Sequence, residues 1–214
     1  MSSLLSRVLV AVVGLPAVLG LVWMLGGFLT SFVVAFVLNT LAKTRPPATA
    51  AIGSTVLAAA WIGFGLGHIV LLRRMHAHPQ LIAFTLLLVV FASDTFAYFG
   101  GRLLGRHKLA PTLSPGKTWE GFVVGSLAGI FVAFVALYQD RHTYLTVGEA
   151  LILGVAIVLV AVAGDLFESM LKRDLQVKDT GRLLGGHGGM LDRLDALLFA
   201  APAAYYLVRA FDYL

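Results

Sequence analysis

The chain has 214 residues, is 59% hydrophobic and only 13% charged, and has a mean hydropathy of +0.90. Soluble domains run nearer half apolar and about a quarter charged, so an ordinary soluble domain is excluded and an all-α, polytopic integral membrane bundle is expected. The net charge of +5 then speaks to topology and anionic lipid, since no nucleic-acid-binding signature accompanies it, and the absence of cysteine excludes disulfides and thiolate metal sites.

A helix needs roughly 20 mostly apolar residues to cross a bilayer. The N-terminus has one Arg before its apolar run and no small-residue cleavage site after it, so the run reads as a retained helix. The stretch 8–41 is long for one untilted span and short for two. Gly26-Gly27 offers a break, giving two short spans or one span plus a re-entrant piece. Clear spans follow at about 49–72, 80–99, 121–138, 148–168 and 194–211, so six or seven crossings are expected. Between them, 100–119 and 172–193 read as long polar loops.

With seven spans, Arg7, Lys43, Arg45, four basic residues in 100–119 and five in 172–193 share one side, twelve in all. Arg73, Arg74, Arg141 and Arg209 fall on the other. The positive-inside rule makes the first side cytoplasmic. The two long loops are two spans apart, so both face that side. The expected location is the cytoplasmic (inner) membrane, multi-pass.

Three polar constellations stand out. Asp94 lies inside the apolar run 80–99, and a carboxylate at that depth is a functional candidate. Ser114-Pro115-Gly116-Lys117-Thr118 lacks the upstream glycine and strand context of a Walker A loop, but remains a phosphate-binding turn with Lys117 as its cation. Asp165, Glu168, Ser169 and Lys172 share one helical face at i, i+3, i+4 and i+7. That stripe reads either as an interfacial cap or as the wall of a site.

The polar segment that continues from this stripe is the densest part of the chain. From Ser169 to Asp195, five basic residues, four aspartates and five glycines occupy 27 positions. Gly181, Gly185, Gly186, Gly188 and Gly189 surround His187, and glycines let backbone N–H groups approach phosphate oxygens. His187 is either a polar loop residue or a substrate contact. Lys172, Arg173, Lys178, Arg182 and Arg193 are either interface anchors or phosphate ligands. Asp192 and Asp195 share a face at the start of the last span. There they are favoured by the helix dipole, and equally suited to bind a hard cation with Asp165. Mg²⁺ takes one or two carboxylates, keeps waters and binds substrate phosphates.

The intervals between Ser169, Lys172, Arg173, Lys178, Asp179, Gly181, His187, Gly188, Gly189, Asp192, Arg193 and Asp195 resemble the signature of the phosphatidate cytidylyltransferases, or CDP-diacylglycerol synthases. Ser93-Asp94, Gly100-Gly101, Ser114-Pro115, Lys117-Thr118, Glu120-Gly121 and the Gly164–Ser169 segment resemble that family too. Gly185 stands where many members carry proline. The resemblance covers residues 80–214, a catalytic region. Residues 1–79 resemble the family less and look shortened, as though two spans had been joined.

The resemblance implies a nucleotidyltransferase of phospholipid biosynthesis: CTP plus phosphatidic acid gives CDP-diacylglycerol plus pyrophosphate. It implies Mg²⁺, with room for a second cation, on Asp165, Asp192 and Asp195. Lys172 acts with these aspartates in catalysis. Ser114, Lys117, Ser169, Arg173, Lys178, Asp179, His187, Gly188, Gly189, Arg193 and Asp94 bind substrate. Membrane lipids and a second copy of the chain are the implied partners. A CTP-dependent polyprenol-kinase-like enzyme is the alternative within enzymes, and would release CDP. An ion-coupled transporter using Asp94 and Asp165 is the alternative of another class, and would move solute without CTP turnover.

Overall fold

The computed structural model describes residues 33, 37, 48–75, 78–138, 144–177, 179–180 and 189–211. The crossings expected in 8–41 lie outside these residues, as do Lys178, Gly181, Arg182, Gly185, Gly186, His187 and Gly188. The chain divides into two compact units, 1–64 and 65–214.

The elements in order are α1 (Ala48–Arg73), α2 (Pro79–Leu104), β1 (Lys108–Ala110), β2 (Ser114–Thr118), α3 (Trp119–Tyr138), α4 (Val147–Asp174) and α5 (Leu191–Phe211). Among the described residues, five helices are long and apolar enough to cross a membrane. The protein is a polytopic helical membrane protein. Phe84, Leu88 and Phe91 on α2 and Leu127, Phe131 and Val135 on α3 are each more than half exposed. Side chains of this kind suit a surface that faces lipid instead of water.

Local signals set the helix ends. Pro79 opens α2, where a missing N–H costs nothing. Thr146 caps α4 in a reciprocal box: Glu149 N–H donates to Thr146 Oγ1 at 3.3 Å, and Thr146 N–H donates to Glu149 Oε2 at 2.6 Å. Two helices outrun their apolar stretches. α2 continues five residues past 99 and α4 six past 168, carrying Arg102, Ser169, Lys172 and Arg173 on regular helix.

Within 65–214, the core is built from Leu72, Ile82, Leu86, Val89, Leu153, Ile157, Ala200, Ala204 and their neighbours. The most extensive helix pairing is α2 with α3, followed by α4 with α5. Two glycines permit these close approaches. A Cβ on Gly125 would meet the Ser93 carbonyl oxygen and would lie 2.7 Å from Ala97 Cβ. A Cβ on Gly164 would lie 2.8 Å from the Asp195 carbonyl oxygen and 2.9 Å from Phe199 Cβ. These crossings carry Ser93-Asp94 against α3 and seat Asp195 beside the Gly164-Asp165 step. Gly125→Leu should therefore lower the melting temperature in detergent, by an overpacking cost of about 1–3 kcal/mol. An unchanged melting temperature would show that α2 and α3 separate freely.

The segment read as a loop at 100–119 contains an antiparallel hairpin. Lys108 pairs with Thr118 and Ala110 with Ser114, with an irregularity between the two pairs. Glu120, in the first turn of α3, staples the hairpin's base. Its carboxylate accepts the Arg106 N–H at 3.0 Å and the His107 N–H at 3.2 Å, and its Oε1 lies 2.6 Å from His107 Nδ1. Trp119 N–H donates to His107 O at 2.9 Å, closing the same end.

Candidate active site

The hairpin and the adjoining ends of α2, α3 and α4 enclose a cavity of about 600 Å³, within the range of small-molecule sites. Asp94, Tyr98 and Arg102 reach it from α2, Ser114 and Lys117 from β2, and Asp165 from α4. Asp94 is exposed because it faces this cavity. Lys117 forms an ion pair with Asp165, so the one strand cation of the Ser-Pro-Gly-Lys-Thr segment crosses to the first carboxylate of the stripe. Arg102 Nη1 donates to Tyr98 Oη at 3.1 Å across one helical turn. Arg173 Nε donates to Leu113 O at 3.1 Å, which ties the tip of the hairpin to α4.

A second cluster joins α4 to α5. Lys172 pairs with Glu168 and, at 2.9 Å, with Asp192 Oδ1. Asp192 Oδ2 accepts from Thr180 N at 2.9 Å, Thr180 Oγ1 at 2.9 Å and Gly189 N at 2.8 Å. Asp195, one turn further along α5, is 7% exposed, and lies within electrostatic reach of Asp165, Glu168 and Asp94.

The sequence expectations therefore land as follows. Asp94, Ser114, Lys117 and Asp165 share the cavity, with Asp195 in electrostatic range. Lys172, Asp192 and Gly189 share the second cluster. Ser169 is buried on α4, and Arg173, Asp179 and Arg193 are exposed. Lys178, His187 and Gly188 lie outside the described residues. Sequence reasoning assigned no individual role to Thr180, Tyr98 or Arg102, and placed Glu168 only within the α4 stripe. The i, i+4 spacing of Tyr98 with Arg102, and of Glu168 with Lys172, was the available signal for three of them.

The donor set suits a hard cation. Asp94, Asp165, Glu168, Asp192 and Asp195 bring five carboxylates to adjoining ends of three spanning helices, where Lys117 pairs with Asp165 and Lys172 with Glu168 and Asp192, and neither lysine takes up Asp94 or Asp195. A carboxylate at the edge of a bilayer is costly without a partner or counter-ion. Among the described residues, no three His, Cys, Asp or Glu side chains form a ready-made ligand group. Mg²⁺ does not require one, because it keeps waters and shares substrate phosphates.

Phosphatidate cytidylyltransferase from Haemophilus influenzae is 42% identical over 132 residues, covering 60% of this chain and 46% of that protein. The Staphylococcus haemolyticus protein of the same name is 40% identical over 147 residues, covering 69% of this chain and 55% of its own. That from Staphylococcus saprophyticus is 41% identical over 148 residues, with the same coverage. The chain spans about half the length of the curated relatives it matches. The sequence pattern of the Cytidylyltransferase family matches residues 3–211, taking in every element that builds the cavity and the α4–α5 cluster. On that match, the chain belongs to the cytidylyltransferase family.

Proposed function

We propose that this protein is a CTP:phosphatidate cytidylyltransferase, converting CTP and phosphatidic acid to CDP-diacylglycerol and pyrophosphate. The observation that carries the reading is the Lys117–Asp165 pair inside a cavity of about 600 Å³ at the ends of spanning helices, in a chain of this family. Relatives that bear the enzyme's name support it. The polar loops carry most of the Lys and Arg residues, which supports a site on the cytoplasmic face of the inner membrane. The expected homodimer is checked by native mass spectrometry in detergent, which should return twice the 22.8 kDa chain mass.

In this reading a phosphate oxygen of the lipid attacks the α-phosphorus of CTP. The bond from that phosphorus to the α–β bridging oxygen breaks, and pyrophosphate leaves with the electron pair. The attacking phosphate is already anionic near neutral pH, so no strong general base is needed. What the protein must do is bring two anions together. Lys117 and Arg102, on the cavity wall, neutralise and align phosphates. Asp165, Asp192 and Asp195 would hold Mg²⁺. Bound there, the ion would offset phosphate charge and stabilise the departing pyrophosphate. Asp94 orients the bound substrate from the α2 side.

The test is pyrophosphate release from labelled CTP by purified protein in mixed detergent–phosphatidic acid micelles, with and without Mg²⁺. Release that requires both lipid and Mg²⁺, with the cytidine label passing into lipid, is the expected result. Release of CDP in place of pyrophosphate would move the assignment to a kinase. CTP turnover independent of lipid would remove phosphatidic acid as the acceptor.

A further inference from the structure

Glu168 is the most deeply buried charged residue described, at 1% exposure, and it does not line the cavity. Burying a carboxylate is costly unless it is paired. Its partner is Lys172, one turn further along α4. The same ammonium reaches Asp192 Oδ1 on α5 at 2.9 Å. The other oxygen of Asp192 collects Thr180 N, Thr180 Oγ1 and Gly189 N at 2.8 to 2.9 Å. Thr180 and Gly189 are nine positions apart in sequence, and a single carboxylate oxygen draws their two amides together. A chain of contacts therefore runs from the interior of α4 to two backbone N–H groups: Glu168, Lys172, Asp192, then Thr180 and Gly189.

We propose that Glu168 is a positioning residue. By anchoring the Lys172 ammonium from below, it fixes the orientation of Asp192, and through Asp192 the clasp on Thr180 and Gly189. A lysine stem has four rotatable carbons, so an ammonium held by one carboxylate moves with that carboxylate. Held between two, it is fixed in space and fixes both. α4 is helical through both residues, which places Glu168 and Lys172 on one face, one turn apart. The link to catalysis rests on the cytidylyltransferase reading; the clasp itself does not.

Glu168→Met separates positioning from structural support. It keeps the length of the side chain and removes one of the two carboxylates that hold Lys172, leaving the ammonium paired to Asp192 alone. Removing one member of a buried pair is destabilising, so the melting temperature in detergent should fall, and the exchange pattern decides between a local and a general effect. Amide exchange at Thr180 and Gly189 should accelerate by about tenfold or more, while core amides of α4 such as that of Ile157 stay protected. kcat should fall by about 30-fold, with KM for CTP and for phosphatidic acid within about twofold, because the loss is in alignment. Glu168→Gln keeps an acceptor for Lys172 and should recover much of both the protection and the rate. Thr180→Val is the second route. It removes one donor to Asp192 without touching the interior, and should also loosen the Gly189 amide. Unchanged exchange at Thr180 and Gly189 in Glu168→Met overturns the proposal, whatever the rate does. Faster exchange along the whole of α4 overturns it too, since Glu168 would then be ordinary structural support. If the unmodified protein transfers no cytidylyl group, the enzymatic reading fails while the exchange result still decides the clasp.

Discussion

Asp192→Asn is expected to abolish turnover, with a loss of about 10³-fold or more in kcat, or about 4 kcal/mol of transition-state stabilisation, while the protein stays folded and inserted. The substitution is nearly isosteric, so its effect comes from donors and acceptors. In the structure both oxygens of Asp192 are acceptors: Oδ1 for Lys172 and Oδ2 for Thr180 and Gly189. An amide must turn an NH₂ group towards one side or the other. Facing Lys172, it sets two donors against each other. Facing Thr180 and Gly189, it opposes two backbone N–H donors, while the Thr180 hydroxyl can turn to accept. Either orientation leaves polar groups without partners, and the carboxylate available to a cation is gone in both. The measurement is the rate of label transfer from CTP to lipid, with circular dichroism as the check on folding. Near-normal turnover would take Asp192 out of the site.

The change leaves the apolar core of Ala200, Ala201 and Ala204 untouched, because Asp192 sits in the first turn of α5, so any loss of stability should be confined to the polar contacts of Asp192. The Gly125→Leu substitution has the opposite signature, lowering stability without touching a polar group. Measured together, the two variants separate the scaffold from the chemistry.

The helices were legible because a spanning segment writes its length in apolar residues. The expected 49–72, 121–138 and 194–211 lie within three residues of α1, α3 and α5 at each end. The extensions of α2 to Leu104 and α4 to Asp174 were not legible from hydropathy, which reports where the lipid ends and not where the hydrogen-bond ladder does. The hairpin was hidden for a related reason. Ser114-Pro115-Gly116-Lys117-Thr118 is poor in strand-forming residues and reads as a turn. What makes it a strand is pairing with Lys108–Ala110 and the Glu120 staple, both of which act across intervening sequence.

The site shows the same division. The Asp165-to-Lys172 stripe could be read from periodicity because it lies within one helix. The choice of partners could not. Lys117 and Asp165 are far apart in sequence, and nothing in the spacing says that a cation on the hairpin finds this carboxylate. Likewise Lys172 suggested a phosphate ligand by its charge or a partner for Glu168 by its spacing, and only the fold shows it also engaged by Asp192. Thr180 escaped notice because a lone threonine in a polar stretch has no signal until two ends of that stretch meet at one carboxylate.

Lys117→Met is the second change with a large expected effect, a loss of about 10²- to 10³-fold in kcat/KM, the range found when a preorganised charge contact is removed. Two causes contribute, and they can be told apart. Without Lys117, Asp165 loses its ion-pair partner next to Asp94 and Asp195, and like charges then crowd one end of the bundle. Substrate phosphates also lose a cation on the cavity wall. If neutralising Asp165 were the whole role of Lys117, the double variant Lys117→Met with Asp165→Asn would recover activity. The proposed chemistry requires the reverse, because Asp165 is needed for the cation and Lys117 for the phosphates, so the double variant should be no more active than the worse single one. Lys117→Arg should retain part of the rate: its charge persists, but a planar guanidinium presents different donor geometry from an ammonium. Raising the Mg²⁺ concentration should not rescue Lys117→Met, since the ion and the lysine act on different atoms. Full rescue by Mg²⁺ would show that Lys117 does no more than supply positive charge to the acidic end of the bundle.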